Sequence, residues 1–129
     1  MEEVLARKKS PNLTDGELRL MEVLWKKGQA TVGEVAASLP ADPPLAYSTV
    51  LTTLRILETK GYLRHIKQGR AFVYEPVIVQ EEASRKAVGH LLSRFFGGSH
   101  ELLVMNLLKE ESIGRAELQR IKKMIATSE

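Results

Sequence analysis

With 129 residues, 43% of them hydrophobic and 27% charged, the chain is sized for one medium domain or two small ones and is composed like a soluble globular protein. It has no cysteine, which excludes disulfides, thiolate metal sites and thiol redox chemistry. No apolar run approaches the ~20 residues of a bilayer span, so a cytoplasmic location is expected. The net charge is only +3, yet the pI of about 9.3 falls in the nucleic-acid-binding range and the charge is unevenly spread. Residues 11–44 hold three basic side chains (Arg19, Lys26, Lys27) against five acidic ones (Asp15, Glu17, Glu22, Glu34, Asp42). Residues 45–74 hold five basic ones (Arg55, Lys60, Arg64, Lys67, Arg70) against Glu58 alone. A surface that faces phosphates requires such a local excess.

In chain order, Arg7, Lys8 and Lys9 form a short basic run that reads as a frayed arm. Thr14 with Glu17 is a capping box, predicting a helix with a buried stripe of Leu18, Met21, Leu24 and Trp25 that ends at Gly28. Thr31 with Glu34 repeats the box for a shorter helix, Val32 to Leu39, burying Val35, Ala36 and Leu39, and Pro40, Pro43 and Pro44 stop it.

The third helix, within Ala46 to Gly61, carries the most information. Its apolar stripe is Tyr47, Val50, Leu51, Leu54 and Leu57; the opposite side lines up Ser48, Thr52, Arg55 and Thr59, flanked by Thr49, Thr53 and Lys60. Exposed helix faces are normally rich in Glu and Lys, and threonine is a poorer helix former. Short hydroxyls, however, let a helix approach a groove closely, bonding phosphates and base edges and offering a methyl to thymine, while a guanidinium reaches guanine or phosphate. The pattern predicts a DNA recognition helix.

Two β-prone runs follow, Tyr62 to Lys67 and Ala71 to Tyr74, around Gln68-Gly69-Arg70, and read as a hairpin with Leu63, Ile66, Phe72 and Tyr74 at apolar positions. Three helices and then a basic hairpin is the order of a winged helix-turn-helix, mainly α with a small β-hairpin. In that arrangement helix three enters the major groove and the hairpin tip, Lys67, Gln68 and Arg70, reaches the backbone or minor groove. The expected DNA-binding set is therefore Tyr47, Ser48, Thr49, Thr52, Thr53, Arg55, Thr59, Lys60, Lys67, Gln68 and Arg70.

Pro76 marks the expected boundary between a DNA-binding domain, 1–76, and a second region, 77–129. There, Gln80 to Phe96 has helical periodicity through Ala87, Val88, Leu91, Leu92, Phe95 and Phe96, and Gly97-Gly98 break it. Ser99 caps a helix through Leu102, Leu103, Val104, Met105, Leu107 and Leu108 that is apolar nearly all round, and Arg115 to Ile125 places Leu118, Ile121 and Ile125 on one stripe. Three short helices cannot hide so many apolar side chains, so a helical dimerisation region is expected, built on Val88, Leu91, Leu92, Phe95, Phe96, Leu102, Leu103, Met105, Leu107, Leu118, Ile121 and Ile125. A compact monomer folded back on the winged helix is the alternative. A dimer would present two recognition helices to half-sites about one helical turn apart.

These residues resemble the penicillinase repressors of the BlaI/MecI type from Leu13 to Ile125: Trp25, Ala30-Thr31, Glu34-Val35, Thr49-Val50, Thr52, Leu57, Lys60-Gly61, Gly69-Arg70 and Tyr74 carry the resemblance. It implies a homodimeric transcriptional repressor with an N-terminal winged helix and a C-terminal helical dimerisation region. The family usually has arginine directly before the leucine matching Leu57; here Ile56 stands there and Arg55 comes one step earlier, about 100° round the helix, so an operator sequence does not carry over. Better-known members are inactivated by a membrane sensor that cleaves an Asn-Phe bond, and the matching bond here is Asn106 to Leu107. Copper-responsive relatives use C-terminal cysteines, which this chain lacks.

No cofactor or metal is expected, since His65, His90 and His100 have no ligand spacing. Glu81-Glu82 and Glu110-Glu111 read as helix-terminal and turn charges, and with no nucleophile motif or phosphate loop an enzyme is not expected. The competing reading is a winged helix that binds protein, which would call for an acidic or apolar third-helix face.

Overall fold

The computed structural model describes residues 12–39, 45–109 and 112–128; the basic run at residues 7–9, the prolines at 40, 43 and 44 and the Glu110-Glu111 pair lie outside them. The chain divides into two compact units after Ala87, inside a helix rather than at Pro76.

In the first unit, α1 (Asp15–Lys27) begins at the expected capping box: the Glu17 N–H donates to Thr14 Oγ1 at 3.1 Å and the Thr14 N–H donates to Glu17 Oε1 at 2.9 Å. Thr31 and Glu34 do the same at 3.1 and 2.8 Å for α2 (Val32–Ser38). α3 spans Tyr47–Thr59 and ends in a complete Schellman turn: Gly61 adopts φ +89°, its N–H donates to the Glu58 carbonyl, and the Tyr62 N–H donates to the Leu57 carbonyl. Only glycine takes that φ without strain. The turn delivers Tyr62 straight into the core beside Leu57, both 2% exposed or less.

The hairpin is β2 (Leu63–Gln68) against β3 (Ala71–Pro76), with Gln68 opposite Ala71, so the loop is only Gly69-Arg70. Gly69 at φ +62° and Arg70 at negative φ give the type II′ arrangement, which suits the twist of paired strands. A third strand, β1 (Ala30–Thr31), adds to the other side of β3 in the order β1-β3-β2. This strand was not foreseen, because two residues carry no alternation and Thr31 reads only as a helix cap.

One core joins Leu20, Met21 and Leu24 of α1, Val35 of α2, Val50, Leu54 and Leu57 of α3, and Tyr62, Leu63 and Tyr74 of the hairpin base. Burying each such aliphatic side chain stabilises by roughly 1.5–3 kcal/mol. The α1 stripe is rotated from the expected one: Leu20 is buried and Leu18 is 37% exposed, with Glu17 buried at the head of the stripe. Trp25 is half-buried and its indole N–H donates to the Ile78 carbonyl at 2.9 Å, tying α1 to the chain beyond the hairpin. Tyr47, Ile66 and Phe72, expected at apolar core positions, are exposed, because the first turn of α3 and the outer half of the hairpin extend past the core.

α4 (Gln80–Phe96) runs through the division after Ala87. In the second unit, α5 (His100–Leu108) starts at Ser99, whose Oγ accepts the Leu102 N–H at 3.1 Å, and α6 (Arg115–Thr127) follows Gly114. No described residue of α5 or α6 is buried. Leu92, expected between copies, is already buried within one chain. Phe96, Leu103, Leu118 and Ile121 are half-buried, whereas Val88, Leu91, Phe95, Leu102, Met105, Leu107 and Ile125 are exposed.

Candidate nucleic-acid interface

The side of α3 opposite Val50, Leu54 and Leu57 is open: Ser48, Thr52, Arg55 and Thr59 are all exposed. No side chain caps the N-terminus of α3 and its first turn holds no acid, so backbone N–H groups and their partial positive charge stay available at that end. Among the described residues the Ser48 and Thr52 hydroxyls have no protein partner, while Thr53 and Thr59 donate back to the carbonyls of Thr49 (2.8 Å) and Arg55 (3.0 Å). The latter pair keep only acceptor capacity for a ligand. Thr49 and Thr53 sit round the helix, beside Leu20 of α1 and Leu39, on the flank of the exposed face.

Arg55 is exposed and stands near the base of the hairpin. It lies close enough to act on the Tyr74 hydroxyl, whose pKa is raised above the usual tyrosine value by burial first and the nearby Glu58 charge second, with Arg55 opposing. Three residues on, Glu58 takes His65 Nδ1 at 2.8 Å, and the His65 ring meets Phe72 edge-on at 5.0 Å and lies 5.7 Å from Tyr74. The Glu58–His65 bond joins the hairpin to α3. The pairing of Glu58 with His65 was not readable from the sequence, because an acid and a histidine seven residues apart across a helix end carry no motif.

The pleat then decides which way the hairpin residues face. His65, Lys67, Phe72 and Tyr74 share one face, the one turned to α3, because side chains alternate along paired strands; Gln68 falls on the other face and Arg70 at the tip. Lys67 and Arg70 are exposed and make no ion pair among the described residues, whereas Arg64 is engaged by Glu75. Between α3, the start of α2 and the hairpin lies a groove of about 470 Å³ lined by Tyr47, Leu51, Arg55, Arg70 and Phe72 with Thr31 to Gly33. Two guanidiniums and two exposed aromatic rings thus border one channel. Phe72 was read as a core position, and its place on the hairpin face beyond the core is what puts it here.

Lys60 corrects the expected set. Its side chain is 6% exposed, with Nζ 2.7 Å from Glu17 Oε1, so it is turned into the protein and cannot meet a ligand beside Thr52 and Arg55. Among the described residues no cluster of His, Cys, Asp or Glu could hold a metal ion, and no helix is long and apolar enough to cross a membrane.

Comparison with known proteins adds to this geometry. The penicillinase repressor family model matches residues 13–127. A penicillinase repressor of Bacillus licheniformis is 31% identical over 118 residues, covering 92% of this chain and 92% of the relative. A transcriptional regulator of Mycobacterium tuberculosis, BlaI, is 30% identical over 123 residues, covering 94% of this chain and 88% of the relative. The solution structure of the DNA-binding domain of the repressor BlaI matches with a TM-score of 0.50 at 38% identity, covering 59% of this chain and 93% of that domain. Since the family match takes in α1 through α6 and both relatives align over most of their own length, the chain belongs to the penicillinase repressor family.

Proposed function

We propose that this protein is a sequence-specific DNA-binding transcriptional repressor that acts as a homodimer on a two-fold operator. The single observation carrying this reading is the exposed Ser48, Thr52 and Arg55 face of α3, flanked by a hairpin that presents Lys67 and Arg70. α3 enters the major groove, where Thr52 and Arg55 contact base edges and the Ser48 hydroxyl and the open N-terminus of α3 meet phosphate. The hairpin follows the adjacent backbone, with Lys67 on the α3 side and Arg70 at the tip. The family is one of repressors rather than enzymes.

The dimer reading is supported by the second unit, where Phe95 is 68% exposed, Ile125 63% and Leu102 56%. Apolar area of that extent is covered most simply by a second copy of the same helices. Two recognition helices then meet half-sites roughly 34–36 Å apart centre to centre. For release, we propose hydrolysis of the Asn106–Leu107 bond by a membrane sensor; both residues are exposed on α5, between the apolar positions that would hold the dimer together.

Selection of bound fragments from a random-sequence duplex pool tests the proposal. The expected product is a two-fold repeat with one-turn spacing, bound with an affinity that falls steeply as salt rises. A protein-docking module would enrich no sequence and show no such slope.

A further inference from the structure

Lys60 is a cation at the end of the recognition helix that does not face the groove, and its surroundings explain why. Its ammonium donates to Glu17 Oε1 at 2.7 Å and to the Asn12 carbonyl at 2.9 Å, and the two side chains are 6% and 8% exposed. The same carboxylate oxygen accepts the Thr14 N–H at 2.9 Å. Glu17 also lies close enough to Tyr62 for its charge to act on that phenol. One buried oxygen therefore joins the first turn of α1 to the C-cap residue of α3.

A buried ion pair is a poor choice for stability alone, because well-packed apolar residues of similar volume often serve as well or better. What it supplies is direction. The contacts of Val50, Leu54 and Leu57 are non-directional and the Glu58–His65 bond ties α3 only to the hairpin, whereas the charged hydrogen bond from Lys60 to Glu17 fixes distance and angle against α1. Side chains on α3 ride at a radius of about 5–6 Å, so a roll of roughly 20° carries the Thr52 hydroxyl about 2 Å, enough to lose a hydrogen bond to a base edge.

We propose that Glu17 and Lys60 are positioning residues: their buried pair sets the roll of α3 and thereby governs which DNA sequence the protein prefers, without either residue touching the duplex. This rests on the DNA-binding reading above. The lysine's contribution would then depend on a carboxylate 43 residues earlier in the chain.

The test uses the full chain with Glu17→Gln, Lys60→Met and the double variant. Two probes are used, the duplex selected by the parent from a random pool and a scrambled duplex of the same composition. Each single change leaves a charge buried alone and can unfold the protein; the double variant buries none, so it is the deciding one, its folding checked by circular dichroism. The expected result is a loss of about tenfold in affinity for the selected duplex, with affinity for the scrambled duplex and the salt slope unchanged. Where the singles fold, neither effect adds to the other in the double variant. Three results would overturn the proposal: a double variant with the parent's selectivity, an equal loss on both duplexes, or a lower salt slope for Lys60→Met with Glu17→Gln silent, which would make Lys60 a phosphate contact. If the parent itself shows no salt-dependent duplex binding, the DNA-binding reading fails first and takes this proposal with it.

Discussion

Arg70→Ala is the change whose consequence can be worked through in numbers. Arg70 occupies the second position of a two-residue turn whose left-handed residue is Gly69, is exposed, and makes no ion pair among the described residues, so its truncation removes a cation and leaves the hairpin intact. If Lys67 and Arg70 meet phosphates and Arg55 reads a base, each protomer neutralises two phosphates and a dimer four, giving a slope of log affinity against log salt of about −3.6. A fourfold rise in salt then weakens the parent by about 150-fold. Without Arg70 the dimer keeps two such contacts, the slope falls to about −1.8, and the same rise weakens binding by only about 12-fold. Fluorescence anisotropy with both the selected and the scrambled duplex reads the two slopes directly. Arg70→Ala is expected to weaken both duplexes alike at low salt. A slope unchanged by the substitution would refute the placement of the hairpin tip on the phosphates.

Thr52→Ala should leave scrambled duplex binding as in the parent and reduce preference for the selected sequence by up to about tenfold, because the contact proposed for Thr52 is to a base edge rather than a phosphate; parental selectivity in competition binding would count against it. Phe95→Asp, at a side chain 68% exposed in one chain, should leave helicity unchanged and shift sedimentation from dimer to monomer; a variant that still sediments as a dimer would place the interface elsewhere. Trp25→Phe removes the indole donor to the Ile78 carbonyl and should cost about 1 kcal/mol, lowering Tm by roughly 5 °C; an unchanged melt would mean that bond adds nothing net. Tyr62 and Tyr74 both hold their phenolic protons above the ordinary value of about 10, mainly through burial. The folded state therefore binds these protons more tightly than the unfolded chain. Their contribution to stability is complete below pH ~10 and declines as pH rises through the folded values, so Tm should drop above that pH, and a rise there would contradict the assignment.

The helices of the first unit were legible because cap, period and stop agree locally. Thr14 with Glu17 and Thr31 with Glu34 fix two starts, and Gly61 fixes the end of α3 through a turn that needs a positive φ. The rotation of the α1 stripe was not legible, since Leu18 and Leu20 both continue an apolar series with Met21 and Leu24, and only packing against α3 and the hairpin chooses between them. Lys60 was misjudged for a related reason: counting charge along a helix says nothing of a partner in another element. One signal did exist, because Glu17 stands in register with Leu20, Met21 and Leu24, and an acid on a buried stripe requires a cation to meet it.

The exposed face of α3 was read from residue type as well as spacing, and the structure places Ser48, Thr52, Arg55 and Thr59 there together. What sequence could not supply was the bracing around it. The nearness of Arg55 to Tyr74, the Glu58–His65 pair and the approach of Phe72 to His65 depend on strand register and on where the hairpin leans. These contacts convert a list of polar residues into a shaped surface with one cationic groove.

The central claim, that the hydroxyl and arginine face of α3 lies against bases with the hairpin on the neighbouring backbone, is tested most directly by following backbone amide shifts as the selected duplex is titrated into the protein. The account predicts the largest changes at Ser48 to Arg55 and at Lys67 to Arg70, with the amides of Leu20 to Leu24 in the core unmoved. Changes confined to α1 or to α4 through α6, with α3 silent, would contradict it.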